Sequence, residues 1–426
     1  MSSAEEELRT RLIELDNEID AQKTVLLNLE HEKCLVQRRL NAVLDPITRL
    51  PLEISSLIFM MLQPRDPFPI PRPNKMPMVL LNVCNSWSNI ALSIPALWTT
   101  FAILFPCAKG LKDLLPVWLE RTRGQPLSVC LDGVFDHDVV DIIWKHGKQL
   151  KYLEIWAEDR IKKKAGADDS RVMRFWEKMP PEDLSSLKVL KLCGSSWDRT
   201  LPFSIRHIVE LMNLAPNLND CFLQEVRLAD DGCRAGLVHS KLRRLSFRRG
   251  NGPGGDNGLV HYLSLPALEV LCMPDRLSTS EWDVFVEESS PPLRELELLA
   301  SHSDFAFFKK CFEATPDLER FEVWSAKYPV LEEMFEALML SPDLLPNLST
   351  LVIHLPNIEL FNMSNSFWKK LSTALAIRRR RTGIREFHCD STFELPPSKM
   401  PGLGILDALK ELRRDGMKIQ LNIGAA

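Results

Sequence analysis

Nine times between Leu150 and Cys389 the chain repeats one six-residue pattern, and that pattern limits what its second half can become. Leu150-Lys-Tyr-Leu153-Glu-Ile155 is matched by Leu187–Leu192, Leu218–Leu223, Leu242–Phe247, Leu268–Met273, Leu293–Leu298, Leu318–Val323, Leu348–Ile353 and Ile384–Cys389. Apolar residues hold the first, fourth and sixth places. In the middle of the array the starts lie about 24 to 26 residues apart. Pro216, Pro266, Pro292, Pro316 and Pro346 stand just ahead of their motifs, where proline stops a helix and restarts an extended chain. Helical stripes fill several gaps: Ile205, Ile208, Val209 and Met212; Phe308, Cys311 and Phe312; Leu331, Met334, Phe335 and Leu338; Phe367, Trp368, Leu371 and Leu375. One strand and one helix cannot bury their own apolar faces. Units of this kind are stable only when stacked on neighbours.

Period-two geometry assigns the faces. The fourth and sixth places point into the core, and the residues beside and between them point the other way. The second set includes Tyr152, Glu154, Trp156, Lys191, Asp220, Phe222, Arg244, Arg248, Glu295, Glu297, Glu322, Trp324, His354 and His388. The spacing and motif resemble leucine-rich repeats, although the asparagine that usually follows the strand is missing from most units. The resemblance implies a strand–helix solenoid, a horseshoe, whose inner face binds a target protein. Tyr152, Trp156, Arg244, Arg248, Glu295, Glu297, Glu322 and Trp324 are the expected target contacts, since tryptophan and arginine are common anchors of interfaces. The competing reading is a solvated face whose charges keep the array soluble.

The chain opens with a different pattern. Leu8, Leu12, Leu15, Ile19, Gln22, Leu26, Leu29, Lys33, Val36, Leu40 and Val43 alternate by four and three, a heptad seam interrupted by Gln22 and Lys33. No Pro or Gly occurs before Pro46, and Asp45-Pro46 ends the helix. Two arrangements satisfy such a seam. One is a homodimeric coiled coil through residues 8–43. The other is a single helix folded back on the chain, which the off-seam Val25, Leu27, Leu35 and Leu44 also suit.

Between these regions lies Ile47 to Phe101. Pro51 suits the first turn of a helix, where its missing N–H has no intrahelical partner. Leu50, Ile54, Leu57, Ile58 and Met61 recur at helical spacing, as do Leu80, Val83, Cys84, Trp87 and Ala91. Phe59, Met60 and Leu62 fall off the first stripe. A helix apolar on more than one face needs more cover than one small helical unit gives, so a partner protein is expected. The insert from Pro64 to Pro73 holds five prolines and reads as a stiff extended loop.

The order Leu-Pro-x-Glu-Ile, apolar helix, Val-Cys-x-x-Trp, Leu-Trp resembles an F-box. The following Trp118-Leu-Glu-Arg helix, with Pro126-Leu and a strand after it, is similar to an expanded group of fungal F-box proteins. The resemblance implies a non-catalytic, substrate-recognition subunit of a Skp–cullin–F-box ubiquitin ligase. A Skp-family adaptor, and through it a cullin, would bind at Leu50, Pro51, Ile54, Leu57, Ile58, Val83 and Trp87. The expected organisation is α/β: a long helix over 1–45, an all-helical F-box-like module over 46–101, and the solenoid over 102–426. The alternative is a repeat scaffold that dimerises through its first helix.

Other classes find little support. A net charge of −4 argues against general nucleic-acid binding, and no apolar run reaches the roughly 18 residues a membrane span needs. Ten scattered cysteines without a Cys-x-x-Cys pair suit a reducing compartment, cytoplasmic or nuclear, and no cofactor or metal is expected. Gly250–Gly258 lacks the following helix and Gly-Lys-Ser/Thr of a phosphate loop. His388, Cys389 and Asp390 are strand neighbours that point to opposite faces and cannot form a triad among themselves. Asp136-His137-Asp138 reads as the turn before a helix around Val139 to Trp144. Arg378–Arg381 reads as a solvated helix end and Arg160–Lys164 as a surface loop, each with nuclear import as the alternative.

Overall fold

In the computed structural model, residues 3–62, 76–105, 107, 110–133, 136–157, 183–194, 203–229, 236–249, 252–253, 258–273, 277–301, 303–341, 343–355, 364, 366–391 and 395–423 are described. The proline insert Pro64–Pro73, the run Arg160–Lys164 and most of Gly250–Gly258 lie outside them. The protein is α/β, with a long N-terminal helix and a parallel sheet whose strands alternate with helices. It divides into two compact units. One is Met1–Ala102 with Ala108–Gln125; the other is Ile103–Cys107 with Pro126–Ala426. No helix among the described residues is long and apolar enough to cross a membrane.

The first unit is helical. α1 runs Ser3–Leu44 and stops at Asp45, as the Asp-Pro pair predicts. At 1.5 Å per residue it is roughly 60 Å long. α2 (Leu52–Met61), α3 (Met78–Val83), α4 (Asn85–Ser93) and α5 (Leu111–Arg121) complete the unit. The expected continuous stripe from Leu80 to Ala91 is broken: Cys84 is fully extended (φ −158°, ψ 173°) and separates α3 from α4. Ser88 Oγ donates to Leu81 O at 2.8 Å across that corner. Arg38 Nη2 reaches the same carbonyl at 3.1 Å, and Asn41 Nδ2 donates to Val83 O at 3.0 Å, so the last turns of α1 are tied to the corner. Trp98 is wholly buried. It donates to Ala91 O at 3.1 Å, accepts Trp118 Nε1 at its own carbonyl at 2.9 Å, and lies edge-on to the Trp118 ring. α5 therefore packs in this unit, although the sequence reading placed it at the head of the repeats.

Among the described residues, twelve strands form one path in sequence order. They are β1 (Thr100–Leu104), β2 (Leu127–Asp132), β3 (Leu150–Ala157), β4 (Val189–Gly194), β5 (Asp220–Gln224), β6 (Arg244–Arg249), β7 (Val270–Cys272), β8 (Glu295–Leu299), β9 (Arg320–Trp324), β10 (Thr350–Leu355), β11 (Glu386–Ser391) and β12 (Lys418–Asn422). The chain passes from the first unit to the second within β1. From β2 onward every neighbouring pair is parallel. The register keeps the motif positions level. Leu153, Leu190, Cys221, Leu245, Leu271, Leu296, Phe321, Leu351, Phe387 and Ile419 form one buried row. Full burial of such a side chain contributes about 1.5–3 kcal/mol.

A second ladder runs beside the strands. The carbonyl of the motif's second residue accepts two successive N–H groups from the next motif: Lys188 O takes Asn219 and Asp220, Asn219 O takes Arg243 and Arg244, and Arg243 O takes Glu269 and Val270. The pattern continues through Glu269, Arg294, Glu319 and Ser349. Polar backbone at each turn is thus satisfied by the neighbouring unit, which an isolated unit would have to leave to water.

Helices α6 (His137–Trp144), α7 (Ile205–Leu214), α8 (Thr279–Ser289), α9 (Phe305–Ala314), α10 (Tyr328–Leu340), α11 (Phe367–Arg381) and α12 (Leu403–Arg414) fill the gaps between strands. The stripes read from sequence on α7, α9, α10 and α11 are buried. Asp136 caps α6, accepting from Asp138 N, as expected of a turn before that helix. Arg378 departs from expectation. It is not solvated but 1% exposed, and its guanidinium donates to Leu338, Ser341, Leu344 and Leu345 carbonyls. It caps the C-terminal end of α10, where unpaired carbonyls gather negative partial charge.

Candidate functional site

Two surfaces carry the residues singled out by sequence. The first is α2. Its buried side is Ser55 and Phe59, and Phe59 packs 5.0 Å from the Trp87 ring. The opposite side exposes Leu50, Leu52, Ile54, Leu57, Met61 and Leu62, with Leu57 54% and Met61 75% accessible. The phase of the helix is therefore the reverse of a core-facing stripe. Leu50, Ile54, Leu57 and Met61 look outward, and off-stripe Phe59 is the anchor.

Of the expected adaptor contacts, Leu50, Pro51, Ile54 and Leu57 are exposed and Ile58 and Val83 half-buried. Trp87 is also half-buried, and its indole N–H donates to Asp45 Oδ2 at 2.6 Å. Asp45 is buried and also accepts from Ile47 N at 3.0 Å. Trp87 thus belongs mainly to the packing that joins the end of α1 to α2 and α4. Leu52 and Leu62 extend the exposed patch beyond the residues chosen from sequence; on a helix this short and this apolar, periodicity could not include them.

The second surface is the polar face of the sheet. Register brings Glu154, Lys191, Phe222, Ser246, Cys272, Glu297, Glu322, Val352 and His388 into one row across β3 to β11. Two hubs form along it. At one end Glu154, 7% exposed, accepts from Tyr152 OH at 2.5 Å, Trp156 Nε1 at 2.8 Å and Lys191 Nζ at 3.0 Å. Burial pulls Lys191 down, but its bond to Glu154 together with the neighbouring Glu154, Cys193 and Cys130 groups holds it above the usual lysine range. Burial and the same carboxylate push the Tyr152 phenol up.

The other hub joins β6 to β11. Arg248 binds Glu297 through both terminal nitrogens, at 3.2 and 2.6 Å. Trp324 Nε1 is shared between Glu297 at 3.0 Å and Glu322 at 3.2 Å. Glu322 also takes Arg320 at 2.6 Å and His354 Nε2 at 2.9 Å. The Trp324 and His354 rings stack at 3.5 Å, and His354 Nδ1 lies 3.7 Å from Asp390. Burial alone would raise Glu322, but the His354 and Arg320 hydrogen bonds override it and hold the carboxyl at about 2. Glu297 moves upward, through burial and the neighbouring Glu322 charge, against the pull of Arg248. A shallow cleft of about 290 Å³ opens between the rows, lined by Arg244, Arg248, Glu295, Glu297, Arg320 and Glu322 among others.

The eight expected target contacts thus fall on one face. Tyr152 and Trp156 belong to the first hub; Arg248, Glu297, Glu322 and Trp324 to the second; Arg244 and Glu295 line the cleft. Glu154, Lys191 and His354, which the sequence placed on this face but not among the target contacts, and Arg320 are what hold these side chains. Their signal was present in the motif columns, but only the register shows which columns meet. Burial pushes the Cys193 thiol on this face up to about 12, and burial followed by the Glu297 charge raises Cys272, so both environments favour the neutral thiol. His388 and Asp390 lie on the polar face and Cys389 in the core, so they do not converge. Among the described residues no cluster of three or more His, Cys, Asp or Glu could hold a metal ion.

What the face can do chemically is recognise, with two indoles locked by hydrogen bonds and charges of both signs already oriented. No family model matches the chain, and no curated protein or solved structure matches it either.

Proposed function

We propose that this protein is the substrate-recognition subunit of a Skp–cullin–F-box ubiquitin ligase. Residues 46–101 act as an F-box that docks a Skp-family adaptor, and through it a cullin. The parallel strand–helix array acts as a leucine-rich-repeat-like solenoid whose polar face holds a target protein. The chain's contribution is proximity: it presents the target to a reaction catalysed elsewhere in the complex.

The observation that carries this reading is the outward apolar face of α2. Leu50, Ile54 and Leu57 follow the Leu-Pro-x-Glu-Ile signature and are exposed, while the helix is fixed to its own unit through Phe59. An apolar patch on a folded unit is stabilised by a partner that covers it. The polar face supports the second half of the reading, because preformed side-chain networks lower the ordering cost of binding.

The test is co-expression of the full chain with a Skp-family adaptor. Wild type should capture the adaptor stoichiometrically. Leu50→Ala with Leu57→Ala should weaken capture roughly tenfold or more, as truncated interface anchors do, while leaving the melting temperature unchanged. A wild-type chain that captures no adaptor removes the proposal.

A further inference from the structure

α1 carries about half of the exposed large apolar side chains among the described residues. Its seam is open along the whole helix: Leu12 is 61% and Leu26 56% exposed, and Leu8, Ile19, Leu29, Val36, Leu40 and Val43 are exposed as well. Within the first unit nothing among the described residues covers this seam. The last turns of α1 are tied down through Arg38 and Asn41.

We propose that α1 pairs with α1 of a second copy as an antiparallel coiled coil centred on Leu26 and Leu29. The seam itself selects the orientation. In a parallel pair, equivalent residues meet, so Lys33 would face Lys33 and Gln22 would face Gln22 inside the seam. Two ammonium groups would then meet in one otherwise apolar layer and repel each other, which is costly. In the antiparallel register, Leu26 faces Leu29 of the second copy, Ile19 faces Val36, Leu15 faces Leu40, and Leu12 faces Val43. Both polar interruptions then meet each other. Lys33 Nζ can donate to the Gln22 side-chain carbonyl of the second copy, and the two-fold axis repeats the contact.

The flanking charges fit the same register. Glu18 lies beside Arg39 of the second copy, and Lys23 beside Glu30; each contact occurs twice and no like-charged pair is created. All four are exposed in the single chain. The ion pair that Lys23 makes there, to Asp20 at 2.9 Å, is solvent-exposed and easily exchanged. Flanking charges alone do not decide orientation, because a parallel pair would match Arg11 with Asp16 and Glu18 with Lys23. The meeting of Gln22 with Lys33 decides it. The inference is independent of the adaptor reading, since dimer mass and adaptor capture are separate readouts.

Light scattering on the full chain across a dilution series provides the test. Wild type should show twice the chain mass at micromolar concentration. Glu18→Lys alone and Arg39→Glu alone should each raise the dimer dissociation constant about tenfold or more, because two attractive flanks become repulsive. The double variant Glu18→Lys, Arg39→Glu should return to near the wild-type value. Thermal melting of each variant checks that the fold is kept. A wild-type monomer at all concentrations overturns the pairing. A dimer that the single variants leave unchanged overturns the role of α1. A double variant no better than Glu18→Lys alone overturns the antiparallel register, because in a parallel pair Glu18 faces Lys23 and Arg39 faces Leu44.

Discussion

The outward face of α2 and the polar face of the sheet differ in what a partner must overcome. On α2 and the turn before it, Leu50, Ile54, Leu57 and Met61 stand in water with nothing to lose but hydration. On the sheet, Glu154, Glu297 and Glu322 already hold the indoles, arginines and lysine around them. Covering the first surface is favourable for almost any complementary apolar partner, at about 25 cal/mol per Å². Covering the second must match or replace existing hydrogen bonds, since a buried polar group left unpaired costs about 1–3 kcal/mol. An apolar handle therefore suits a constant partner, and a prearranged polar face suits a discriminating one.

The sharpest way to break this contrast is inside α2. Phe59→Ala removes a wholly buried ring from its contact with Trp87 and should cost about 3–5 kcal/mol of stability. Leu57→Ala, two residues away on the exposed face, should cost about 0.5 kcal/mol or less. Urea melts of the two variants read the difference directly. Equal losses would mean that the outward face is covered within the free chain, and the contrast would fall.

The next effect lies in the sheet. Glu154→Ala leaves Tyr152, Trp156 and Lys191 without their common acceptor and should destabilise by about 2–3 kcal/mol. Trp156 fluorescence should change as its indole loses its fixed partner. If stability is unaltered, the hub is ornamental, and the polar face resembles an ordinary solvated surface.

Much of this was legible in the chain. The Leu-x-x-Leu-x-Leu motif announced its strands because the period-two rule fixes which side chains enter the core, and Leu153, Ile155, Leu190 and Leu192 do so. The phase of α2 was not legible. Leu52, Ile54, Leu57, Ile58, Phe59, Met60 and Met61 surround the helix, so no run of polar residues marks the outside, and the inward polar residue is Ser55, bonded back to Pro51 O at 3.3 Å. Arg378 was unreadable for a related reason. Four consecutive arginines look alike in sequence, and only the placing of α10 decides which one is buried against its end. The hubs fall between these cases: their columns were visible, but pairing Trp324 with Glu297 depends on strand register, which spans about 27 residues of chain.

The smallest expected effect distinguishes the two acidic residues of the second hub. Glu322 is held at about 2, below the 4.5 of a free glutamate, by His354 and Arg320 working against its burial. A carboxyl depressed in the folded state stabilises it at pH values above the unfolded value. That contribution fades as the pH falls from 4.5 toward about 2. Glu297 is raised instead, so its protonation on acidification does not add to this loss. Glu322→Gln cannot titrate. Wild type should therefore melt above the variant at pH 6, and the gap should close through that acid window. Melting temperatures of both proteins from pH 6 to pH 2.5 test this. A constant gap would show that Glu322 contributes by shape rather than charge, and a gap that widens in acid would reverse the sign of its coupling to His354 and Arg320.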